Sequence, residues 1–164
     1  MYFTQLEILW KVFAESPKAV ARIWGGDKYP LLKGIVQFYE LSQSILIVME
    51  VMNLPHTLES CKNGVFGVHI HEGSECVGMG ENPFTDTRMH FNPDKCGHPY
   101  HAGDMPPLFE NDGYALCAFV TDRFRLSDVI GKIVVVHGKR DDFTTQPSGD
   151  SGTKIACGVI EAIV

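Results

Sequence analysis

Six histidines and one aspartate lie between positions 69 and 137 at spacings typical of metal ligands. A single tetrahedral ion takes four ligands, so seven donors are too many for one ion. Two four-coordinate ions need eight donor positions, and seven residues fill them if one imidazole gives a nitrogen to each ion. The spacing therefore predicts a two-metal site with a shared histidine. The donors are His69, His71, His90, His98, His101, Asp104 and His137.

Three of the donors fall on predicted strands. His69 and His71 are two residues apart, so their imidazoles point to the same face of a strand. His137 ends the apolar run 133–136, and beside the other two it would complete a nitrogen set suited to copper.

The other donors lie in a segment rich in glycine and proline. His98, His101 and Asp104 are spaced three apart, and their nitrogen and carboxylate donors suit zinc. His90 lies between the two groups in sequence and is the candidate for the shared ligand. His56 has no such neighbours, and we interpret it as a surface histidine.

Short strands must position these residues. After Ala19 the chain alternates runs rich in Val, Ile and Phe with turns of Gly, Pro, Asp and Asn, a pattern typical of an antiparallel sandwich or flattened barrel. Two connections are long, 72–112 and 138–154, and long loops in a compact domain are usually functional. The candidate strands are 19–25, 32–39, 44–52, 64–71, 113–121, 131–137 and 155–163.

The N-terminus follows a different pattern. Residues 3–15 place apolar side chains at helical spacing, and Thr4 with Glu7 fits a capping box. We predict a short helical extension over residues 1–18 and one β domain over 19–164. The apolar face of the helix must cover the barrel, a partner subunit or a membrane surface, and packing on its own domain is the preferred interpretation.

Composition limits the classes of partner. A formal net charge of -6 over 164 residues leaves no basic footprint for nucleic acid. No apolar stretch approaches the length needed to span a membrane. The first residues lack the basic region and uninterrupted apolar core of a signal peptide. As written, the chain is expected in the cytoplasm, whereas a different start or a removed leader would place it outside.

Five cysteines are present and none forms a CxxC pair, so a thiolate zinc site is not indicated. Cys117 alternates with Tyr114, Leu116 and Ala118 on a predicted strand and is interpreted as a core thiol. The remaining four are buried or idle thiols of a reducing compartment, or members of disulfides. They are Cys61, Cys76, Cys96 and Cys157.

At this point several motifs, in order across about residues 19–164, resemble the copper/zinc superoxide dismutase family. The resemblance implies an eight-stranded Greek-key β-barrel with an immunoglobulin-like sandwich architecture. It also implies conversion of superoxide to dioxygen and hydrogen peroxide. The motifs are His69-Ile70-His71-Glu72, His90-Phe91-Asn92-Pro93, His101-Ala102-Gly103-Asp104, Asp128-Val129-Ile130-Gly131 with Val135-Val136-His137, and Ala156-Cys157-Gly158-Val159-Ile160.

Carried over by position, the resemblance implies a role for each donor. Copper is held by His69, His71, His90 and His137, and zinc by His90, His98, His101 and Asp104. His90 bridges the metals and also donates a proton during turnover. Asp141 would hydrogen-bond the free nitrogens of His69 and His98, which fixes tautomer and ring orientation. Its neighbour Asp142 is interpreted as a solvated turn residue.

The resemblance also pairs Cys76 with Cys157, which would tie the long loop to the last strand. Cys61 and Cys96 lie outside the usual pattern, and a second bridge between them or two idle thiols are equal alternatives. Lys154 stands where the family usually has an arginine. Lysine keeps the charge that attracts superoxide but loses the planar fork that docks it, so we expect activity to be retained but lowered.

The loop 138–154 is shorter than the charged loop of many family members. Lys139 and Arg140 either guide superoxide to copper or form a solvated turn, and both interpretations stay open. The main functional alternative is a metal-binding relative with little turnover, acting as a metal store, a copper-delivery domain or an interaction module. A complete ligand set favours the enzyme. A single-zinc hydrolase lacks support because no HExxH-type arrangement is present. A homodimer is left open.

Overall fold

The computed structural model describes residues 10, 14–56, 64–78 and 83–163. Most of the predicted N-terminal helix, together with Cys61, lies outside these residues. The described part is an antiparallel β protein with almost no helix, as predicted. Its strands are β1 (Ala19–Gly25), β2 (Lys33–Glu40), β3 (Ile45–Met52), β4 (Val65–Phe66), β5 (Val68–His71), β6 (Leu108–Phe109), β7 (Tyr114–Thr121), β8 (Ile133–His137) and β9 (Lys154–Ala162).

Seven strands form one curled sheet in the order β5-β8-β9-β1-β2-β3-β7, and β4 pairs with β6 in a short ribbon. The ribbon is continuous in sequence with both sheet edges, because β4 precedes β5 directly and β6 leads into β7. The predicted Greek-key β-barrel is confirmed. Counting β4 and β5 as the one run predicted from sequence, the described strands number eight.

The predicted strand 64–71 is interrupted at Gly67, which is where the chain changes partner from β6 to β8. The Gly67 amide donates to the Lys139 carbonyl at 2.8 Å, and the Gly67 carbonyl accepts from the His137 amide at 2.9 Å. Sequence periodicity did not reveal β6, nor a one-turn helix, α1 (Leu126–Val129), nor a 3-10 turn at Thr85–Thr87. Each is too short for its spacing to show a period.

The inner face of the sheet forms the core. Alternate residues of β1, β2 and β3 point inward, so that Ile23, Phe38 and Ile47 are fully buried. Burying a side chain of this size contributes about 1.5–3 kcal/mol, which makes these strands a rigid frame. Among the described residues, no helix is both long and apolar enough to cross a membrane.

The loop 72–112 covers the open edge of β5. The Ile70 amide donates to the Gly103 carbonyl at 2.8 Å, and the Ile70 carbonyl accepts from the Phe91 amide at 2.7 Å. A Cβ on Gly103 would lie 2.4 Å from the Ile70 carbonyl oxygen, so the approach requires glycine. Isolated β-bridges place His90 opposite His71 and Asp104 opposite His69. This edge pairing therefore places two donors of the loop, His90 and Asp104, beside the two donors of β5.

The predicted disulfide between Cys76 and Cys157 is confirmed, and it joins the same loop to β9. Cys157 is buried in a small apolar cluster with Phe84. Cys96 is a free, exposed thiol. Cys117 is half-buried and packs against the core, in keeping with its predicted inward position.

Candidate metal centre

The first donor group, the strand group, consists of His69, His71, His137 and His90. Three of its members lie on paired strands. His69 and His71 lie on β5, and His137 ends the adjacent strand β8. All three rings are buried. His71 Nε2 lies 3.2 Å from His137 Nε2, and the rings of His69 and His90 stack with centroids 3.9 Å apart.

Each strand-borne ring is oriented through the nitrogen that faces away from the group. His69 Nε2 lies 2.7 Å from Asp141 Oδ2. His71 Nδ1 donates to the Arg88 carbonyl at 2.9 Å, and His137 Nδ1 points to the Gly152 carbonyl at 3.4 Å. These contacts leave His69 Nδ1 and the Nε2 atoms of His71 and His137 free to bind a metal ion.

The second donor group, the loop group, consists of His90, His98, His101 and Asp104. Its three histidines surround the Asp104 carboxylate. Asp104 Oδ1 lies 2.8 Å from His90 Nδ1, and Oδ2 lies 3.1 Å from His98 Nδ1. His101 Nδ1 is 3.4 Å from the same Oδ2 and 3.4 Å from His90 Nδ1. Three imidazole nitrogens and a carboxylate thus converge, the donor set that suits zinc.

His90 belongs to both groups. The ligand atoms of His69, His71, His90 and His137 all lie within 4.8 Å of one another, and so do those of His90, His98, His101 and Asp104. Because Nδ1 of His90 faces the loop group, Nε2 is the nitrogen left for the strand group. The structure therefore brings all seven predicted donors together in two groups that share His90.

Three nitrogen atoms test whether metals fit this arrangement. His69 Nδ1, His90 Nε2 and His98 Nδ1 are buried and have no hydrogen-bond partner. An unpaired buried polar atom costs roughly 1–3 kcal/mol. All three belong to residues of the donor groups, and a metal ion would satisfy them. Four imidazole nitrogens suit copper, and the mixed set suits zinc.

Asp141 connects the two groups. Its Oδ2 bonds the His69 ring, and its Oδ1 lies 2.9 Å from His98 Nε2 and 2.7 Å from the Phe143 amide. Burial raises the pKa of this carboxyl, but the hydrogen bonds from His69, Phe143 and His98 outweigh it and lower the pKa to about 2. The carboxylate is therefore ionised and accepts a bond from each ring.

Four of the donor histidines, His69, His71, His101 and His137, are held neutral. Burial lowers the pKa of His69 to about 4, even though the bond to Asp141 opposes the change. Burial, followed by the neighbouring histidines, lowers the pKa of His71 and His137 well below the usual value. Burial also lowers the pKa of His101. Neutral imidazole is the form that binds metal, so these four rings are ready for ligation at neutral pH.

Lys154 occupies a more confined position than the sequence suggested. Its Nζ donates to Thr87 Oγ1 at 2.8 Å, to the Arg88 carbonyl at 2.9 Å and to the Phe84 carbonyl at 3.3 Å. An ammonium has three donors, and all three have partners inside the protein. Burial lowers the pKa of Lys154, and its charge contributes to lowering the pKa of His71 and His137.

The remaining charged candidates differ in their surroundings. Lys139 Nζ lies 3.6 Å from Asp150 Oδ2, so its charge is partly offset, whereas Arg140 is exposed. Asp142 does more than the solvated turn residue expected from sequence. Its carboxylate accepts bonds from the amides of Thr144 at 2.9 Å and Thr145 at 2.8 Å and so shapes the loop 138–154.

His56 is exposed, as the sequence indicated, but it has a partner. Its Nδ1 contacts Oε1 of Glu110, whose side chain is fully buried. Glu110 Oε1 also accepts from the Gly113 amide at 3.0 Å. The pair lies outside both donor groups and links the chain after β3 to the turn before β7.

Sequence reasoning missed the contacts that Arg123 and Gln146 make with the loop group. Arg123 Nη1 donates to the carbonyls of Pro99 at 3.2 Å and His101 at 3.3 Å. Gln146 pairs with the backbone of His98. These residues act on backbone atoms of distant segments, and no local spacing in the sequence could have indicated them.

Comparisons with known proteins agree with this centre. The family model described as copper/zinc superoxide dismutase matches residues 32–160. A Cu-Zn superoxide dismutase of Legionella pneumophila is 29% identical over 162 residues, covering 94% of this chain and 93% of its own length. Cu-Zn superoxide dismutase 1 of Aquifex aeolicus (strain VF5) is 32% identical over 143 residues, covering 78% of this chain and 79% of its own.

A relative with a different name is also similar. The copper chaperone for superoxide dismutase of Rattus norvegicus is 27% identical over 146 residues, which cover 79% of this chain and 48% of the chaperone. The family match and the two donor groups together support copper and zinc as the metals. The chain belongs to the copper/zinc superoxide dismutase family.

Proposed function

We propose that the protein dismutes superoxide, converting two superoxide ions and two protons to dioxygen and hydrogen peroxide. The observation that carries the proposal is the shared residue His90. Its Nδ1 lies in the loop group, and its buried Nε2 lacks a hydrogen-bond partner beside the strand group. A histidine placed in this way could give one nitrogen to a redox metal in the strand group and the other to a structural metal in the loop group.

Copper, when bound, supplies one-electron redox chemistry, and zinc supplies a fixed charge without redox chemistry. The chain supplies orientation and proton handling. His69, His71 and His137 are held from behind by Asp141 and by backbone carbonyls. With Nδ1 of His90 committed to the loop group, Nε2 is the atom that can hold a proton for transfer to reduced superoxide.

Lys154 would act on superoxide through its charge rather than by hydrogen bonding. A positive charge near a site attracts an anion and raises its association rate. Because the three ammonium donors bind Phe84, Thr87 and Arg88, none is free to dock the anion. Arginine has five donors, so it could keep internal contacts and still offer a donor.

We therefore predict faster dismutation by Lys154→Arg than by the wild type at matched copper loading, and slower dismutation by Lys154→Met. Stopped-flow decay of superoxide measures both rates. The matched control is Lys95→Arg, since Lys95 is exposed. Lys139 is less suitable because its charge is already paired with Asp150. An unchanged or slower rate for Lys154→Arg would count against the docking argument.

The direct test of the proposal uses protein reconstituted with copper and zinc and analysed for both metals. We expect superoxide decay well above that of an equal amount of free copper in a chelating buffer. His137→Ala should abolish most of that activity, because it removes one copper donor. Asp94→Ala is the control, since Asp94 is exposed and lies outside both groups. Full metal loading without activity would overturn the proposal.

A copper-delivery role is the second candidate, and the similarity to a copper chaperone favours it. The complete donor set argues for retention of copper rather than release. Incubation of the copper-loaded protein with a copper-free acceptor domain distinguishes the two. Transfer within minutes without superoxide turnover would favour delivery, and turnover with copper retained would favour the enzyme.

A further inference from the structure

One glutamine in the loop 138–154 holds the backbone of a zinc-group histidine. Gln146 Oε1 accepts from the His98 amide at 2.9 Å, and Gln146 Nε2 donates to the His98 carbonyl at 2.7 Å. One side-chain amide thus satisfies both backbone polar groups of a single residue. The same exchange of two bonds joins directly opposite residues in an antiparallel sheet.

His98 needs such a partner because it lies outside the strands. Its neighbours are Gly97 and Pro99, and proline has no amide to donate. The Gln146 side chain also lies directly beside Gly97, where a Cβ would come within 3.6 Å of Gln146 Oε1. Gln146 therefore fits closely against the chain at this point.

The ring of His98 shows why its backbone position matters. Nδ1 is only two bonds from Cβ, so the main chain and the side-chain torsions fix its location closely. His98 Nδ1 is buried, lacks a hydrogen-bond partner and lies 3.1 Å from Asp104 Oδ2. Asp141 holds the opposite nitrogen at 2.9 Å. Gln146 fixes the backbone and Asp141 fixes the ring.

The segment that carries Gln146 is itself ordered. Asp142 accepts bonds from the Thr145 amide and, at 2.6 Å, from the Thr145 hydroxyl. The Gly149 amide donates to the Thr145 carbonyl at 2.7 Å. The glutamine therefore projects from a closed turn, which limits the freedom lost when its amide binds His98.

We propose that Gln146 is a positioning residue for zinc. It fixes the His98 main chain so that Nδ1 meets His90, His101 and Asp104. The inference rests on the metal pair of the proposed function, but it does not require turnover. Groups that orient metal ligands typically contribute a factor of about 10–100 to metal affinity, and we assign an effect of this size to Gln146.

The test measures zinc affinity by competition with a chromophoric chelator, and ligand geometry by the visible spectrum of cobalt bound in place of zinc. Gln146→Ala should weaken zinc about 10–100-fold and alter the cobalt bands. Gln146→Glu keeps an acceptor for the His98 amide but sets an oxygen against its carbonyl, so it should not restore affinity. Gln43→Ala, at an exposed turn, is the matched control.

The outcomes separate this inference from the proposed function. Unchanged zinc affinity and an unchanged cobalt spectrum in Gln146→Ala would overturn the positioning role while leaving the metal pair intact. A wild type that binds no zinc would overturn both. Full restoration by Gln146→Glu would also contradict the two-bond argument, because that side chain cannot donate to the His98 carbonyl.

Discussion

The two halves of the metal centre are supported in different ways. The strand group takes three of its donors from β5 and β8, which pair within a seven-stranded sheet. The loop group takes its donors from the segment 90–104, which contains no regular strand. Its place depends on an edge pairing with β5 and on side chains from other segments, among them Arg123, Asp141 and Gln146.

This difference predicts which substitutions should weaken the binding of each metal. The strand donors should tolerate changes in the loops because the sheet fixes their backbone. The loop donors should respond to single substitutions far from the metals in sequence. Four changes test this contrast, beginning with the largest expected effect.

Loss of the disulfide should weaken the attachment of the whole loop. Cys76→Ala removes a link between residues 81 positions apart, and removal of a native disulfide typically costs about 2–5 kcal/mol of unfolding free energy. We expect a lower denaturation midpoint and a larger loss of zinc than of copper affinity. Cys96→Ala, at an exposed free thiol, should change neither. Equal losses for both metals would contradict the contrast.

Acid should destabilise the metal-free protein through the strand group. The pKa of His69 is about 4 in the folded protein against 6.5 in model peptides, so the unfolded chain binds more protons between these values. Stability is therefore complete above pH 6.5 and falls as the pH approaches 4, by about 3 kcal/mol for His69 alone. Urea denaturation at a series of pH values measures the slope.

His71 and His137 add to the same loss, since burial also lowers their pKa values. Gln43→Ala, at an exposed position without a titratable group, should leave this slope in place, and His69→Gln should reduce it. A stability that stays flat between pH 6.5 and 4 would mean that the strand-borne rings are not held neutral.

Removal of the Asp141 carboxylate should lower the affinity for zinc more than the affinity for copper. Asp141→Ala deletes a bond to His69 and a bond to His98. We expect zinc to weaken by up to about 100-fold and copper by less, because β5 still fixes His69. Competition titrations for each metal give both numbers. Asp94→Ala, at an exposed position, is the control. A greater loss of copper than of zinc would reverse the contrast.

A single methyl group should produce the smallest of these effects. Gly149 has φ +68°, and a Cβ there would lie 2.0 Å from Asp141 Oδ1 and 2.8 Å from His98 Nε2. Gly149→Ala should weaken zinc binding about tenfold more than backbone strain alone would. Gly131 has φ +80° with nothing within 4 Å of a Cβ, so Gly131→Ala carries a similar strain of about 1–2 kcal/mol without the collision. Equal zinc affinity in the two variants would contradict the assigned contact.

The sequence predicted the strand half of the molecule well because its signals are local. The parity of His69 and His71 placed both rings on one face, and the apolar run before His137 located the end of β8. The alternation of apolar runs and turns predicted an antiparallel sandwich or flattened barrel, and the Greek-key barrel came from the family resemblance. Counting donors against coordination numbers predicted one shared histidine, and the place of His90 between the two groups in sequence made it the candidate.

The loop half was predictable only in its residue types. Gln146 and His98 are 48 positions apart, and nothing local in the sequence connects an amide side chain to a distant backbone. The internal contacts of Lys154 were missed for the same reason, since they join β9 to the segment 84–88. β6 and α1 were missed because two and four residues cannot display a period.

The central claim is that the two donor groups form one centre through His90. Electron paramagnetic resonance of protein with Cu(II) in both groups tests it directly. An imidazole ring shared between two Cu(II) ions couples their unpaired electrons, so we predict an integrated low-temperature signal well below that of two isolated ions. The copper/zinc form should give the full signal of one. At verified loading of two coppers per chain, a signal equal to that of two independent Cu(II) ions would contradict the shared ligand.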